Sequence, residues 1–146
     1  MRLPFCSHHI VTFLTRHANE PAKPLDLALS EYLRQNKSIG AHDRRLIGET
    51  IYGMSRWKEL LDFICPEDSN LLGRLKTFES LNWPKVLSNP SIPEALRLGT
   101  TEFLFEKLQR AYGLEKARSL CHVFLTPAPT TVRANRLKTT LEELLA

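Results

Sequence analysis

The chain has 146 residues, 42% of them apolar and 25% charged, which is enough for one full-sized domain and excludes a disordered polyelectrolyte. No apolar run approaches the ~20 residues of a membrane span, and the start, Met1-Arg-Leu-Pro-Phe-Cys-Ser-His-His9, lacks the long apolar core of a signal peptide. The net charge is +4, unevenly spread. Residues 1–106 carry 13 basic and 13 acidic side chains, whereas residues 107–138 hold Lys107, Arg110, Lys116, Arg118, Arg133, Arg136 and Lys138 against Glu115 alone, an excess of +6. That local excess fits a polyanion partner, although seven basic residues are also ordinary on solvated helices.

Taken in chain order, the apolar spacing is helical nearly throughout. Ile10, Phe13, Leu14 and His17 follow i, i+3, i+4, i+7, which predicts a first helix over about residues 7–18, preceded by a frayed N-terminus. The connector 19–24 contains two prolines. Leu25, Leu29, Tyr32 and Leu33 mark a second helix ending in the polar turn 36–40. Asp43 opens a third with Ile47, Ile51 and Met54 on one face, and Trp57, Leu60, Leu61 and Ile64 repeat the pattern up to Cys65-Pro66. Residues 70–81 form a shorter amphipathic segment, and 83–93 read as a loop with a brief turn inside.

The last third is better punctuated. Pro93 opens a short helix that Gly99 closes, Thr100 or Thr101 caps the next, and Gly113 stops it. Leu104, Leu108 and Ala111 are expected to point inward. Leu114, Ala117, Leu120, Cys121 and Phe124 form a final helix of the bundle before Pro127 and Pro129. The β-branched run 130–134 then suits a strand, and Thr139 and Thr140 precede Glu142 and Glu143 at capping-box spacing. A strand and half a helix cannot bury their own apolar faces, so they read as the start of a further domain. The expected class is all-α, with domains at 1–126 and 127–146.

Three constellations invite a chemical reading. Cys6, His8, His9 and His17 are zinc-type ligands, but their spacing matches no zinc pattern, and no metal is assigned. Cys65 and Cys121 could be nucleophiles, yet both fall on apolar helix faces, where cysteine acts as a small hydrophobe. Three cysteines in no Cys-x-x-Cys pair fit a reducing cytosol. The third is His42-Asp43-Arg44-Arg45. Two arginines at a helix start oppose the dipole, so they call for phosphate or for structural partners: Glu49, four residues on, for Arg45, and a carboxylate of another helix for Arg44.

The segments Leu25-Asp-Leu-Ala-Leu-Ser-Glu-Tyr-Leu33 and Asp43-Arg-Arg-Leu-Ile-Gly-Glu-Thr-Ile-Tyr-Gly-Met-Ser-Arg56, with Pro93-Glu-Ala-Leu-Arg-Leu-Gly99 and Val132-Arg-Ala-Asn-Arg-Leu-Lys138, resemble the NusB-like N-terminal domain of RsmB/Sun-type RNA cytosine-5 methyltransferases. The last segment is similar to the one that opens that family's small RNA-binding subdomain, ahead of a Rossmann-like catalytic domain. The resemblance implies a NusB-like helical bundle, RNA (ribosomal RNA in particular) as partner, no membrane, a cytoplasmic setting, and contact with a catalytic domain of the same chain. On that reading Arg133, Arg136 and Lys138, with the amide of Asn135, are the candidate RNA contacts, and Arg44 and Arg45 are further candidates on their own guanidinium chemistry. The family's cysteine nucleophile follows a proline and its S-adenosylmethionine sits on a glycine-rich loop. Cys65-Pro66 has the reverse order and no such loop is present, so no catalytic or cofactor residue carries over. Two other readings stay open: a free-standing NusB-like RNA-binding antitermination factor, and a helical protein-interaction scaffold.

Overall fold

A computed structural model describes residues 3–65, 70–129, 131, 133–135 and 137–145. Among these it places ten helices and no strand: α1 Leu3–Asn19, α2 Leu25–Gln35, α3 Ala41–Arg56, α4 Lys58–Ile64, α5 Leu71–Ser80, α6 Trp83–Leu87, α7 Glu94–Arg97, α8 Glu102–Tyr112, α9 Leu114–Leu125 and α10 Leu141–Leu145. The all-α class stands. None of these helices is long and apolar enough to cross a membrane.

Helix α1 is the central element, packing on α2, α3 and α5. It begins at Leu3 rather than near residue 7 because the buried stripe starts earlier than Ile10. Cys6, Ile10 and Phe13 lie at i, i+4, i+7 and are all essentially inaccessible, so the first turns are held by core packing and do not fray. Across from them stand Leu29 and Tyr32 of α2, Ile47 and Ile51 of α3, and Leu75 of α5.

A buried histidine belongs to this core. His9 Nδ1 lies 2.8 Å from the Tyr32 hydroxyl, and its ring meets Phe5 edge-on at 4.6 Å. Burial, with a smaller contribution from neighbouring His8, holds its imidazole below the ordinary value of 6.5. The unfolded chain therefore takes up this proton more readily than the folded one. The stability His9 contributes is complete above pH ~6.5 and is lost as pH falls below it. Thermal melts should show a lower midpoint at pH 5.5 than at 7.5, and His9→Phe should flatten that part of the dependence. An unchanged slope in the variant would show that His9 is not its source.

Helices α4 and α6 to α9 pack around two smaller clusters. Leu60, Ile92 and Leu96 are covered by Trp57, Ile64, Trp83 and Val86, with the two indole rings 5.0 Å apart. The expected loop at 83–93 thus contains α6, with Asn82 capping it by accepting from the Lys85 amide and Pro84 in its first turn. Ala95, Leu98, Phe105, Ala117 and Cys121 form the other cluster, joining α7 to the α8/α9 hairpin. Here the inward set differs from expectation. Phe105 is buried and Leu108 partly so, whereas Leu104 and Ala111 are exposed.

The punctuation read from the sequence is otherwise in place. Thr101 caps α8 through the amide of Leu104, and Asn70, a cap not singled out from the sequence, does the same for α5 through the amide of Leu72. Gly99 and Gly113 take positive φ, 64° and 80°. Thr126, before Pro127, is extended. At α10, Glu143 accepts from the Thr140 amide at 3.0 Å, and Thr140 Oγ1 accepts from the Glu143 amide at 3.3 Å, a reciprocal capping box.

The expected strand over 130–134 is a correction. Thr131, Arg133 and Ala134 are irregular, while Thr130 and Val132 lie outside the described residues. A lone extended segment has no neighbouring edge to complete its ladder of hydrogen bonds, so β-branched composition alone does not make it a strand.

Candidate nucleic-acid interface

The six residues proposed from the sequence fall in two places. At the start of α3 the two arginines part company. Arg44 turns back toward the preceding helix, donating from Nε to the Ile39 carbonyl at 2.8 Å and from Nη2 to the Asn36 carbonyl at 3.4 Å. Asn36 is the C-cap of α2, so the guanidinium sits at a helix C-terminus, where positive charge is favoured. This resolves its placement at the N-terminus of α3, through backbone carbonyls rather than a carboxylate of another helix. Arg45 is solvated and pairs with Glu49 at 2.8 Å, the i, i+4 partner expected of it. That bond holds the Arg45 pKa above its ordinary value.

The two therefore differ in what their loss should cost. Arg44→Gln strips two carbonyls of a charged donor and is expected to destabilise the fold by about 1–2 kcal/mol. Arg45→Gln removes only a surface pair and should leave stability nearly unchanged. Urea titrations of both variants check this, and equal losses would contradict the division.

The second place is the segment after Pro129. Asn135 Oδ1 accepts from the Leu137 amide at 3.1 Å, and the Asn135 carbonyl accepts from the amides of Lys138 and Thr139 at 2.8 and 3.0 Å. Asn135 is thus the pivot of a turn, the role its side chain suits best. Arg133 and Lys138 flank it, both exposed and in no ion pair among the described residues; Arg136 lies outside the described residues.

The remaining basic residues of the last third lie on the α8/α9 hairpin. Arg118 grips Glu94 of α7 with a fork, Nε to Oε1 at 2.6 Å and Nη2 to Oε2 at 3.2 Å, and reaches Glu115 at 2.7 Å. Its hydrogen bonds hold the Glu94 carboxyl below the usual range. This arginine fastens α9 to α7 and is already engaged. Arg110 lies 3.6 Å from Glu106. Lys107 and Lys116 instead sit over aromatic rings, each 5.4 Å from the centroid, of Phe103 and Tyr112 respectively. Sequence reasoning counted these lysines as charge but missed their aromatic partners. The i, i+4 spacing of Phe103–Lys107 and Tyr112–Lys116 was the available signal.

The other two constellations hold little chemistry. Cys6 is buried in the main core, His9 and His17 are engaged with Tyr32 and the Lys23 carbonyl, and no group of three ligands is poised for a metal among the described residues. Cys121 is buried, and burial, with Glu94 nearby, raises its thiol pKa, which disfavours the thiolate a nucleophile needs. Cys65 lies 3.5 Å from the Thr77 hydroxyl.

What the hairpin and tail offer, then, is exposed rings with lysines against them, a mixed-charge helical surface on which Arg110 and Arg118 already face carboxylates, and a short turn flanked by Arg133 and Lys138. Residues 100–146, about a third of the chain, match the model of the RsmF/B-like methyltransferase ferredoxin-like domain. The match takes in α8, α9 and the segment after Pro127, and it supports a relationship to the RsmB/Sun methyltransferases. No curated protein and no solved structure matches the chain.

Proposed function

We propose that this chain is the RNA-engaging N-terminal module of an S-adenosylmethionine-dependent ribosomal RNA cytosine-5 methyltransferase of the cytosol. In this reading residues 1–126 are a NusB-like helical domain, residues 127–146 open the RNA-binding subdomain, and the chemistry belongs to a separate catalytic domain. The observation that carries it is a coincidence in position: the match over residues 100–146 overlaps the stretch 107–138 that holds the +6 excess. Arg133, Arg136 and Lys138 contact phosphates, positioning the RNA without reading its bases, while Asn135 shapes the turn that Arg133 and Lys138 flank. Arg44 and Arg45 are secondary contacts, since both already have partners in the fold.

The residues present do not fit the methyl donor. A Rossmann-type site needs a strand running into a glycine-rich loop. The described residues contain no strand, and the closest two glycines, Gly48 and Gly53, both lie inside α3. Isothermal titration of the chain with S-adenosylmethionine should give no binding heat, whereas fluorescence anisotropy with RNA should show binding that weakens steeply with salt. Micromolar donor affinity would overturn the division of labour, and absence of RNA binding at low salt would overturn the module itself.

A further inference from the structure

Helix α8 leaves an unusual residue in water. Phe103 is 71% exposed, although the helix has an apolar side, Phe105 and Leu108, on which to pack. Phe103, Lys107 and Arg110 are spaced i, i+4, i+7 and form one outward stripe roughly 10 Å long, opposite Phe105; Glu106 stands on the same stripe, 3.6 Å from Arg110. The Lys107 ammonium sits over the Phe103 ring, and at the other end of the helix Tyr112, also exposed, is paired in the same manner with Lys116. A protein-docking face is depleted of lysine at its centre. Here each exposed ring has a lysine against it, so burying the ring under an apolar partner would strand the charge.

We propose that this outward stripe of α8 is a stacking site for single-stranded RNA. Phe103 offers the ring face not covered by Lys107 to an unpaired base, while Lys107 takes one flanking phosphate and Arg110 exchanges its exposed pair with Glu106 for the other. Every nucleobase has a π-face, so the site tolerates sequence. It selects unpaired RNA because bases in a duplex are already stacked on one another. The site rests on the RNA reading above but names a surface and a class of RNA that reading leaves open. It is separate from the turn around Asn135.

The test uses the whole chain and fluorescence anisotropy with a short unstructured oligoribonucleotide and with a duplex of the same length, each across a salt series. Phe103→Ala is expected to weaken the single strand by roughly five- to a hundredfold with an unchanged salt slope, and to leave duplex affinity and the thermal midpoint as they are. Phe103→Leu, which keeps apolar area but has no π-face, should behave like the alanine variant, and Phe103→Trp should retain binding. Lys107→Gln and Arg110→Gln should each flatten the slope by roughly 0.7. If Phe103→Ala binds like the wild type while the tail variants are impaired, the RNA reading survives and this site is refuted. Wild-type affinity in Phe103→Leu together with loss in Phe103→Ala would also refute it, because apolar contact rather than stacking would then be at work. A change in self-association with RNA binding intact would mark the stripe as a protein face and equally overturn the proposal. No RNA binding by the wild type would defeat both readings at once.

Discussion

Gly99→Ala should destabilise the protein by roughly 2–4 kcal/mol, although it adds a single methyl group. Two costs combine. Gly99 has φ of +64°, a left-handed conformation that a non-glycine residue holds at about 1–3 kcal/mol. The new Cβ would also lie 2.9 Å from Leu125 Cδ2 and 3.1 Å from Trp57 Cη2, so the leucine methyl and the indole must give way, for about 1 kcal/mol of overpacking. The tight turn is built by the Gly99 and Thr100 amides, which return to the carbonyls of Leu96 and Ala95, closing α7 in the manner of a Schellman motif. Chemical denaturation measures the loss. Adding Leu125→Ala should recover part of the steric cost, giving a double-variant energy smaller than the sum. A loss under about 0.5 kcal/mol for Gly99→Ala would mean that neither the strain nor the crowding is real.

The largest functional effect is expected from the tail. Replacing Arg133, Arg136 and Lys138 together with Gln removes three phosphate contacts, each of which sets about 0.7–0.9 of the slope of log affinity against log salt. Near 0.1 M salt that corresponds to a drop on the order of a hundredfold, with the slope flattened by about 2 to 2.7. Since Arg133 and Lys138 are exposed, melting should be nearly unaffected, which separates a binding defect from a folding one. Asn135→Ala is a useful companion. It deletes the acceptor for the Leu137 amide but no charge, so affinity should fall with the slope preserved. Unchanged affinity and slope in the triple variant would remove the tail from the RNA-contact role and leave only its likeness to the methyltransferase family.

Much of this architecture was legible because its boundaries are set by local chemistry. Thr101, Gly99, Gly113 and the Thr140/Glu143 pair act within a few residues of themselves, so their roles survive whatever the rest of the chain does. The face buried by α8 was not legible. Leu104, Leu108 and Ala111 compete with Phe105 and Leu108 at equally helical spacing, and the choice is made by α7 and α9, far from any local signal. The early start of α1 was hidden for a related reason, since Cys6 and His9 became core residues only against partners such as Tyr32. Of the candidate site, charge position and turn chemistry could be read directly. Arg44 could not be assigned, because its partners are main-chain carbonyls that no side-chain pattern reveals. The exposed rings of α8 and the Arg118–Glu94 clamp likewise emerge only once neighbours are in place.

The cluster beneath the α8/α9 hairpin, built on Ala95, Leu98, Phe105, Ala117 and Cys121, is distinct from the core around α1. A separate, shallower cooperative unit follows for the hairpin from this division. The hairpin has a small apolar seat and a long solvated outer surface, so it can open while the α1 core persists, and its amides should exchange with solvent at a lower opening free energy. An RNA bound to the hairpin would then tighten this smaller unit by mass action while scarcely altering protection in α1 and α3. Occupancy would be recorded as a local change in hydrogen exchange, and the hairpin would behave as a compliant arm on a rigid base.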